Sequence, residues 1–405
     1  MCSRNLYNAV GGVNGMKKRM AIGFFTDVFF PMIDGVVNVV DNYAKTLSRD
    51  VDVYVFAPYY GEIKNLNKFP YKVIRTKSIK VPRLDYRITI PEIDILFRAD
   101  VNEIELDIVH IHSPFAIGLY GINYAKTHNI PVVATLHSQY KKDFYERIRN
   151  KYITNIATKE LIRRFNKCDR LLAVNEQVAK VFYEYGANVM PTVTNNATDL
   201  IPFMDSSHIK ELKERYNINA EQKVLLFVGR LDAIKNLGFL IDSLTYLRKL
   251  DFEFKMIFIG SGPFENEMKK KIDKNGLHNF TVFTGRIMSR VELSAHYRLA
   301  DLFLLPSLYD SSSLVQIEAA SQNTPTLFIE KAVTASTIKD GVNGYLAQNS
   351  SQKYAEKIVD IFENENEYIE ISSNAFRDLY ITWEQIVDKL KDIYLNIIEI
   401  HRFEK

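Results

Sequence analysis

The chain has 405 residues, which exceeds what a single hydrophobic core usually serves, so two domains are expected. Its composition, 47% hydrophobic and 25% charged, excludes a disordered or collagen-like chain. A formal charge of +3 does not point to nucleic acid as a partner. The two cysteines, Cys2 and Cys168, do not make a disulfide framework and fit a reducing cytoplasm. No apolar run reaches the roughly 18–20 residues that span a bilayer.

Residues 1–19 lack the apolar centre of a signal peptide and read as a disordered extension, with Met16 and Met20 as alternative starts. From Met20 the pattern becomes regular. "MAIGFFT" is a strand, "DVFFPMIDG" a loop, and "VVNVVDNYAKTLS" a helix with Val36, Val39, Val40, Tyr43, Ala44 and Leu47 at helical spacing. "VDVYVFAP" returns as a strand, completing a βαβ-sized unit. Residues 59–107 show no clean periodicity and read as irregular, facing substrate. "DIVHIH", "PVVATLH" and "RLLAV" are further buried strands.

The polar, proline-flanked stretch 191–205 reads as a connection, after which strands and helices alternate again. "KVLLFVG", "FKMIFIG", "NFTVFTG", "DLFLLP" and "TPTLFI" are the strands of this second half. The tail from about 383 to 405 reads as one long helix. The expected fold class is therefore α/β, two successive doubly wound parallel sheets. Residues 20–195 and 205–380 are the two domains, with the final helix completing the first. Ligands of such sheets sit at strand carboxyl ends and, with two domains, in the cleft between them.

The strand ends carry distinctive residues. Gly35 opens the first helix, where a glycine serves either a tight turn or close approach of a ligand phosphate. The absence of a GxGxxG pattern argues against a nicotinamide enzyme. His137 ends its strand and is either a satisfied structural histidine or a donor to a substrate hydroxyl. His110 and His112 share a strand face, but no third ligand lies at a recognised spacing, so a metal site is not expected. Arg230 and Lys235, five apart beyond a strand, suit a diphosphate. Gly260 and Gly262 allow close backbone approach. In "SLYDSSSLVQIEAAS", Ser313 and Gln316 form a candidate capping box, with Asp310 before the helix and Glu318 in its second turn. Glu318 lies away from the helix N-terminal amides, leaving its carboxylate free to accept from paired hydroxyls such as those of a ribose.

The ordered set "FFTDVFFPMIDGVVNVV", "HIHSPFAIG", "ATLHSQY", "VGRLDAIKN", "GSGPFE", "ADLFLLPSLYDSSSLVQIEAAS" and "DGVNGY" resembles the retaining glycosyltransferases of family 4, with the two-Rossmann GT-B fold. The resemblance implies a transferase that moves a hexose from a nucleotide-sugar to a lipid or cell-surface glycan, with UDP-glucose as the expected donor. By the same resemblance Arg230 and Lys235 hold the leaving diphosphate, and Gly35 lets the first loop approach it. Glu318 holds the ribose, Asp310 faces the donor sugar, and His137 touches the sugar or the acceptor. Gly262, Arg286 in "TGRIMSR" and the backbone of Ser311, Ser312, Ser313 and Leu314 complete the donor site. The family pattern E-x-F-G is here Asp310-Ser311-Ser312-Ser313, so sugar preference is expected to be set at this departure. The resemblance also implies front-face substitution with retention, no metal and no other cofactor. Closure of the domains about 191–205 and the final helix is a further implication.

Segment 141–167 has nine Lys/Arg against three Asp/Glu, with Phe144, Ile148, Tyr152 and Ile156 four apart. It reads as an amphipathic helix, either packed on the core with a solvated basic face or docked on the anionic inner face of the cell membrane. Three other functions share parts of the pattern: a sugar-nucleotide epimerase, a GDP-mannose-dependent mannosyltransferase and a sugar-binding protein.

Overall fold

The computed structural model describes residues 19–32, 34–61, 69–81, 87–138, 140–308 and 314–403. The chain forms two compact units. Unit 1 comprises residues 1–174, 178–194 and 387–405, and unit 2 comprises 175–177 and 195–386.

The strands of unit 1 are β1 (Ala21–Phe25), β2 (Asp52–Pro58), β3 (Lys72–Thr76), β4 (Ser78–Lys80), β5 (Arg87–Thr89), β6 (Ile108–Ile111), β7 (Val132–Leu136), β8 (Arg170–Ala173) and β9 (Thr192–Val193). Seven pair in parallel in the order β3-β2-β1-β6-β7-β8-β9, while β4 and β5 form a separate antiparallel pair. Unit 2 contains β10 (Lys223–Val228), β11 (Phe254–Ile259), β12 (Thr281–Gly285), β13 (Leu302–Leu305), β14 (Thr326–Ile329) and β15 (Tyr345–Ala347). Its sheet is parallel throughout, in the order β12-β11-β10-β13-β14-β15.

Both orders reverse direction once, between β1 and β6 and between β10 and β13. That reversal opens a crevice at the carboxyl edge of each sheet, the usual ligand position in doubly wound folds. The central strands read as unbroken apolar runs because helices cover both sheet faces. All residues of β1, β6, β11 and β13 are buried. Helix Leu237–Lys249 buries Leu237, Leu240, Ile241, Leu244 and Leu247, the one-face spacing of an amphipathic helix.

The stretch 59–107, expected to be irregular, holds β3, β4, β5, a 3-10 turn at Pro91–Ile93 and helix Ile95–Asn102, with 62–68 and 82–86 outside the described residues. These elements are too short or too exposed to show a period. The final helix, Trp383–Phe403, belongs to unit 2 through Ile386 and to unit 1 from Val387.

Candidate active site

In unit 2 the loops after β10, β11 and β12 are packed backbone to backbone. Gly260 has φ +137°, and a Cβ there would lie 1.9 Å from the Gly229 carbonyl oxygen; at Gly262 it would lie 2.2 Å from that of Leu231. Only glycine fits either place. The Leu231 amide donates to Ser261 O at 3.1 Å, and the Phe264 amide donates to Leu231 O at 3.0 Å. Gly262, expected beside the donor, is thus required first by this contact between loops.

The welded loops present cations along one edge of the sheet. Arg230 is exposed, with its Nε 3.4 Å from Asp232 Oδ2. Asp232 caps the short 3-10 turn that ends at Lys235, accepting from the Ile234 amide at 3.3 Å. Asn236 then donates to Pro306 O at 3.2 Å, which links the two loops at the strand-order reversal. Exposed Arg286 donates from Nε to Ser261 Oγ at 2.7 Å. Arg230, Lys235, Gly262 and Arg286 therefore gather at the carboxyl edge of one sheet. A diphosphate there would meet guanidinium and ammonium groups in an arrangement fixed by backbone contacts.

Glu318 lies in helix Leu314–Ala320 and is 8% exposed. Contrary to the expectation of a free carboxylate, each oxygen already accepts a hydrogen bond: Oε1 from Arg290 Nη2 at 2.8 Å and Oε2 from the Tyr297 hydroxyl at 2.9 Å. Both donors come from helix Arg290–Leu299, which packs nearby, and each oxygen keeps further acceptor capacity. Arg290 also pairs with Asp199. Burial pulls the Arg290 guanidinium down, but Glu318 and Asp199 outweigh it and hold it above its usual value. Burial, reinforced by the Glu318 charge, drives the Tyr297 phenol far above its usual range.

Sequence reasoning missed Arg290 and Tyr297. Ser289, which caps the helix by accepting from the Glu292 amide at 3.2 Å, marks the helix start and could have drawn attention to the cation after it. Asp310, Ser311, Ser312 and Ser313 lie outside the described residues; Leu314 is the first residue of the helix and is half-buried. Gln316 donates from Nε2 to Thr337 Oγ1 at 2.8 Å.

In unit 1, His137 follows β7 and is 9% exposed. Its Nε2 is 3.0 Å from His112 Nδ1, so one of these nitrogens donates to the other. His112 stacks on His110 with centroids 4.2 Å apart, and Phe24 meets both rings edge-on. His110 is held at both nitrogens, by the Tyr394 hydroxyl at 2.5 Å and Thr135 Oγ1 at 2.7 Å. His112 Nε2 is buried with no hydrogen-bond partner among the described residues. Burial pushes His137 down to about 3, and burial plus the neighbouring imidazoles hold His110 and His112 well below their usual value. All three are neutral at physiological pH. Among the described residues, no group of three or more His, Cys, Asp or Glu side chains is placed to hold a metal ion.

Gly35 is exposed, and a Cβ there would meet nothing within 4 Å, so packing does not demand a glycine. Asp34 caps this helix, its Oδ1 accepting from the Val36 amide at 2.6 Å, which occupies one of the amides a phosphate would otherwise meet. "HIHSPFAIG" has a structural explanation: buried Asp27 accepts from Ser113 Oγ at 2.6 Å and the Ile117 amide at 2.8 Å, and a Cβ on Gly118 would lie 1.7 Å from Ser113 O.

Segment 141–167 is not one helix. Tyr140–Ile148 and Lys151–Phe165 are separated at Arg149, which has φ +50°, and Asn150 caps the second helix. The buried face of the second helix is Thr154, Thr158, Leu161, Ile162 and Phe165, whereas Ile148, Tyr152 and Ile156 are exposed. No helix among the described residues is long and apolar enough to cross a membrane.

Two family models match the chain: "Glycosyl transferases group 1" over residues 208–378 and "Glycosyltransferase Family 4" over residues 33–200. The chain is 27% identical over 374 residues to the alpha-monoglucosyldiacylglycerol synthase of Acholeplasma laidlawii, covering 88% of this chain and 92% of that protein. It is 26% identical over 343 residues to the synthase of the same name from Streptococcus pneumoniae, covering 81% and 75%. The GDP-mannose-dependent alpha-mannosyltransferase of Corynebacterium glutamicum is 23% identical over 94% of this chain and 90% of its own length. Among solved structures, Anabaena HepE in complex with UDP shares the fold, with a TM-score of 0.73, 19% identity, and coverage of 93% of this chain and all of that one.

Proposed function

Because the chain belongs to the family 4 glycosyltransferases, with two Rossmann-like parallel-sheet domains of the GT-B type, we propose that it is a retaining enzyme transferring glucose from UDP-glucose to a lipid acceptor of the diacylglycerol class. The observation that carries the donor half is the cation edge of unit 2, where Arg230, Lys235 and Arg286 stand beside loops locked by Gly260 and Gly262. The lipid half is supported by the two diacylglycerol-glucosylating relatives, which align over most of this chain.

In this reading the diphosphate lies against Arg230 and Lys235, which stabilise the charge that develops as the sugar–phosphate bond breaks. The acceptor oxygen bonds to the anomeric carbon from the face that UDP leaves. Its proton passes to the departing β-phosphate oxygen, so no protein base and no divalent metal is needed. Asp310, Ser311, Ser312, Ser313 and Leu314 are assigned to the donor sugar and phosphate by the family resemblance alone. Glu318 takes the ribose hydroxyls on the acceptor capacity left by Arg290 and Tyr297. The family resemblance assigns Gly35 of unit 1 to the donor's approach and neutral His137 to a hydrogen bond with the sugar or the acceptor. The basic helices Tyr140–Ile148 and Lys151–Phe165 contact an anionic membrane on the cytoplasmic side.

Thermal shift tests the donor assignment. UDP is expected to raise the unfolding midpoint with concentration, and ADP is not. A shift with GDP alone would replace the glucose reading with the mannose reading, which the Corynebacterium relative favours.

A further inference from the structure

Arg290 serves two carboxylates of unit 2 at once. Its Nε donates to Asp199 Oδ2 at 3.1 Å and its Nη2 to Asp199 Oδ1, while Nη2 also donates to Glu318 Oε1 at 2.8 Å. Asp199 thus takes a two-pronged edge of the guanidinium, and Glu318 receives a single bond. An exposed ion pair usually contributes little by itself. Here, however, the backbone on either side of Asp199 is tied down. Thr198 is buried; its amide donates to Ile381 O at 3.0 Å, and its Oγ1 accepts from the Leu200 amide at 3.1 Å. Gln322, four residues after Glu318, fastens the continuation of the stretch. Its Nε2 donates to Ile201 O at 2.8 Å, and its Oε1 accepts from the Phe203 amide at 2.7 Å. The backbone that carries Asp199 is therefore fixed to the segment that carries Glu318.

The acceptor count at Glu318 shows what this arrangement protects. A carboxylate offers about four acceptor positions, two on each oxygen. Glu318 spends one on Arg290 and one on Tyr297, at different oxygens. One position remains on each oxygen, which matches the two adjacent hydroxyl donors of a ribose. A guanidinium released from Asp199 would compete for those same positions, because its planar fork fits both oxygens of a carboxylate. Glu318 is within its reach already, since one of the two bonds exists.

We propose that Asp199 is a positioning residue for the donor: it restrains Arg290 to a single bond with Glu318 and so keeps Glu318 open to both ribose hydroxyls. The proposal rests on the reading of Glu318 as the ribose ligand, and not on the identity of the base, the sugar or the acceptor. The test is calorimetric titration of the full chain with UDP and with 2′-deoxy-UDP, which lacks one of these hydroxyls. Wild type is expected to bind UDP about tenfold or more tightly than 2′-deoxy-UDP, the scale of a hydrogen bond to a charged group. Asp199→Ala is expected to bring that ratio close to one, with little change in melting curve because Asp199 is exposed. Adding Arg290→Gln to Asp199→Ala removes the competing fork and is expected to restore the preference for UDP. A ratio unchanged in Asp199→Ala overturns the proposal and leaves Glu318 as the ribose ligand. A preference lost in Asp199→Ala and not restored in the double variant also overturns it, since the loss then has another cause. Equal binding of the two nucleotides by wild type overturns it together with the ribose reading of Glu318. If only guanosine nucleotides bind, GDP and 2′-deoxy-GDP give the same ratios, so the base assignment can fail by itself.

Discussion

Glu318 and Arg290 are joined at 2.8 Å, from Nη2 to Oε1, across two helices of the same unit. The pair, with Tyr297 on the other oxygen, fixes the direction in which the remaining acceptor capacity of Glu318 can point. Glu318→Ala leaves a buried tyrosine hydroxyl without its acceptor, so it is expected to cost about 1–3 kcal/mol of stability as well as donor affinity. Glu318→Gln keeps an acceptor for Tyr297. It is expected to spare most of that stability while raising the KM for donor about tenfold or more, as loss of a hydrogen bond to a charged group does. Denaturant midpoints and donor KM, measured on both variants, separate the two roles. Equal loss of stability and unchanged KM in both would make Glu318 purely structural.

Arg230 and Lys235 differ from Glu318 in being exposed or half-buried. Arg230→Ala and Lys235→Ala are each expected to lower kcat by about 10²–10³-fold, the scale for removing one charge-stabilising group, with little change in melting temperature. A change confined to KM would mean that they bind the ground state and transition state alike.

The proposed chemistry places the leaving-group charge on these cations. Activity is therefore expected to persist in excess chelator and to gain little from added manganese. Loss with chelator and recovery with manganese would require a different account of the leaving group.

The buried imidazoles make the fold sensitive to acid. In the unfolded chain histidine titrates near ~6.5, whereas His137 is pushed down to about 3 and His110 and His112 are well below their usual value. Below pH ~6.5 the unfolded state binds more protons than the fold, so stability falls as pH falls. The melting midpoint is expected to drop from pH ~6.5 downward, and more gently in His137→Asn, which removes one such site. Parallel slopes in variant and wild type would show that other groups set the acid limit.

Gly262→Ala drives a Cβ to 2.2 Å from a backbone carbonyl, where no flexible side chain can yield. The loop carrying Arg230 and the Ser261–Gly262 loop, to which Arg286 donates, must then part. Loss of both stability and donor binding is expected, whereas Gly35→Ala, facing open space, is expected to keep stability and to alter donor KM alone. Melting curves and donor titration of both variants check the contrast.

The central strands were legible because burial on both faces writes them as continuous apolar runs, as in Ala21–Phe25 and Leu302–Leu305. β3 was not, since most of its residues are only half-buried and its run "KVIRT" carries two cations. The four-residue spacing of Phe144, Ile148, Tyr152 and Ile156 suggested one buried helix face. The break at Arg149 resets the register, and the second helix packs through Thr154, Thr158 and Leu161 instead. In the site, residues at strand ends could be named individually because topology gathers strand ends. Partnerships could not: Arg290 meets Glu318 across 28 positions, His112 meets His137 across 25, and His110 meets Tyr394 across 284. Only packing brings such residues together.

The most direct test of the account is incubation of the protein with UDP-glucose and diacylglycerol, followed by mass spectrometry and proton NMR of the products. The account expects UDP and an α-linked glucosyl-diacylglycerol in equal amounts, with no product when acceptor is omitted beyond slow donor hydrolysis. A β-linked product, or conversion of the donor to an epimer without acceptor, would contradict it.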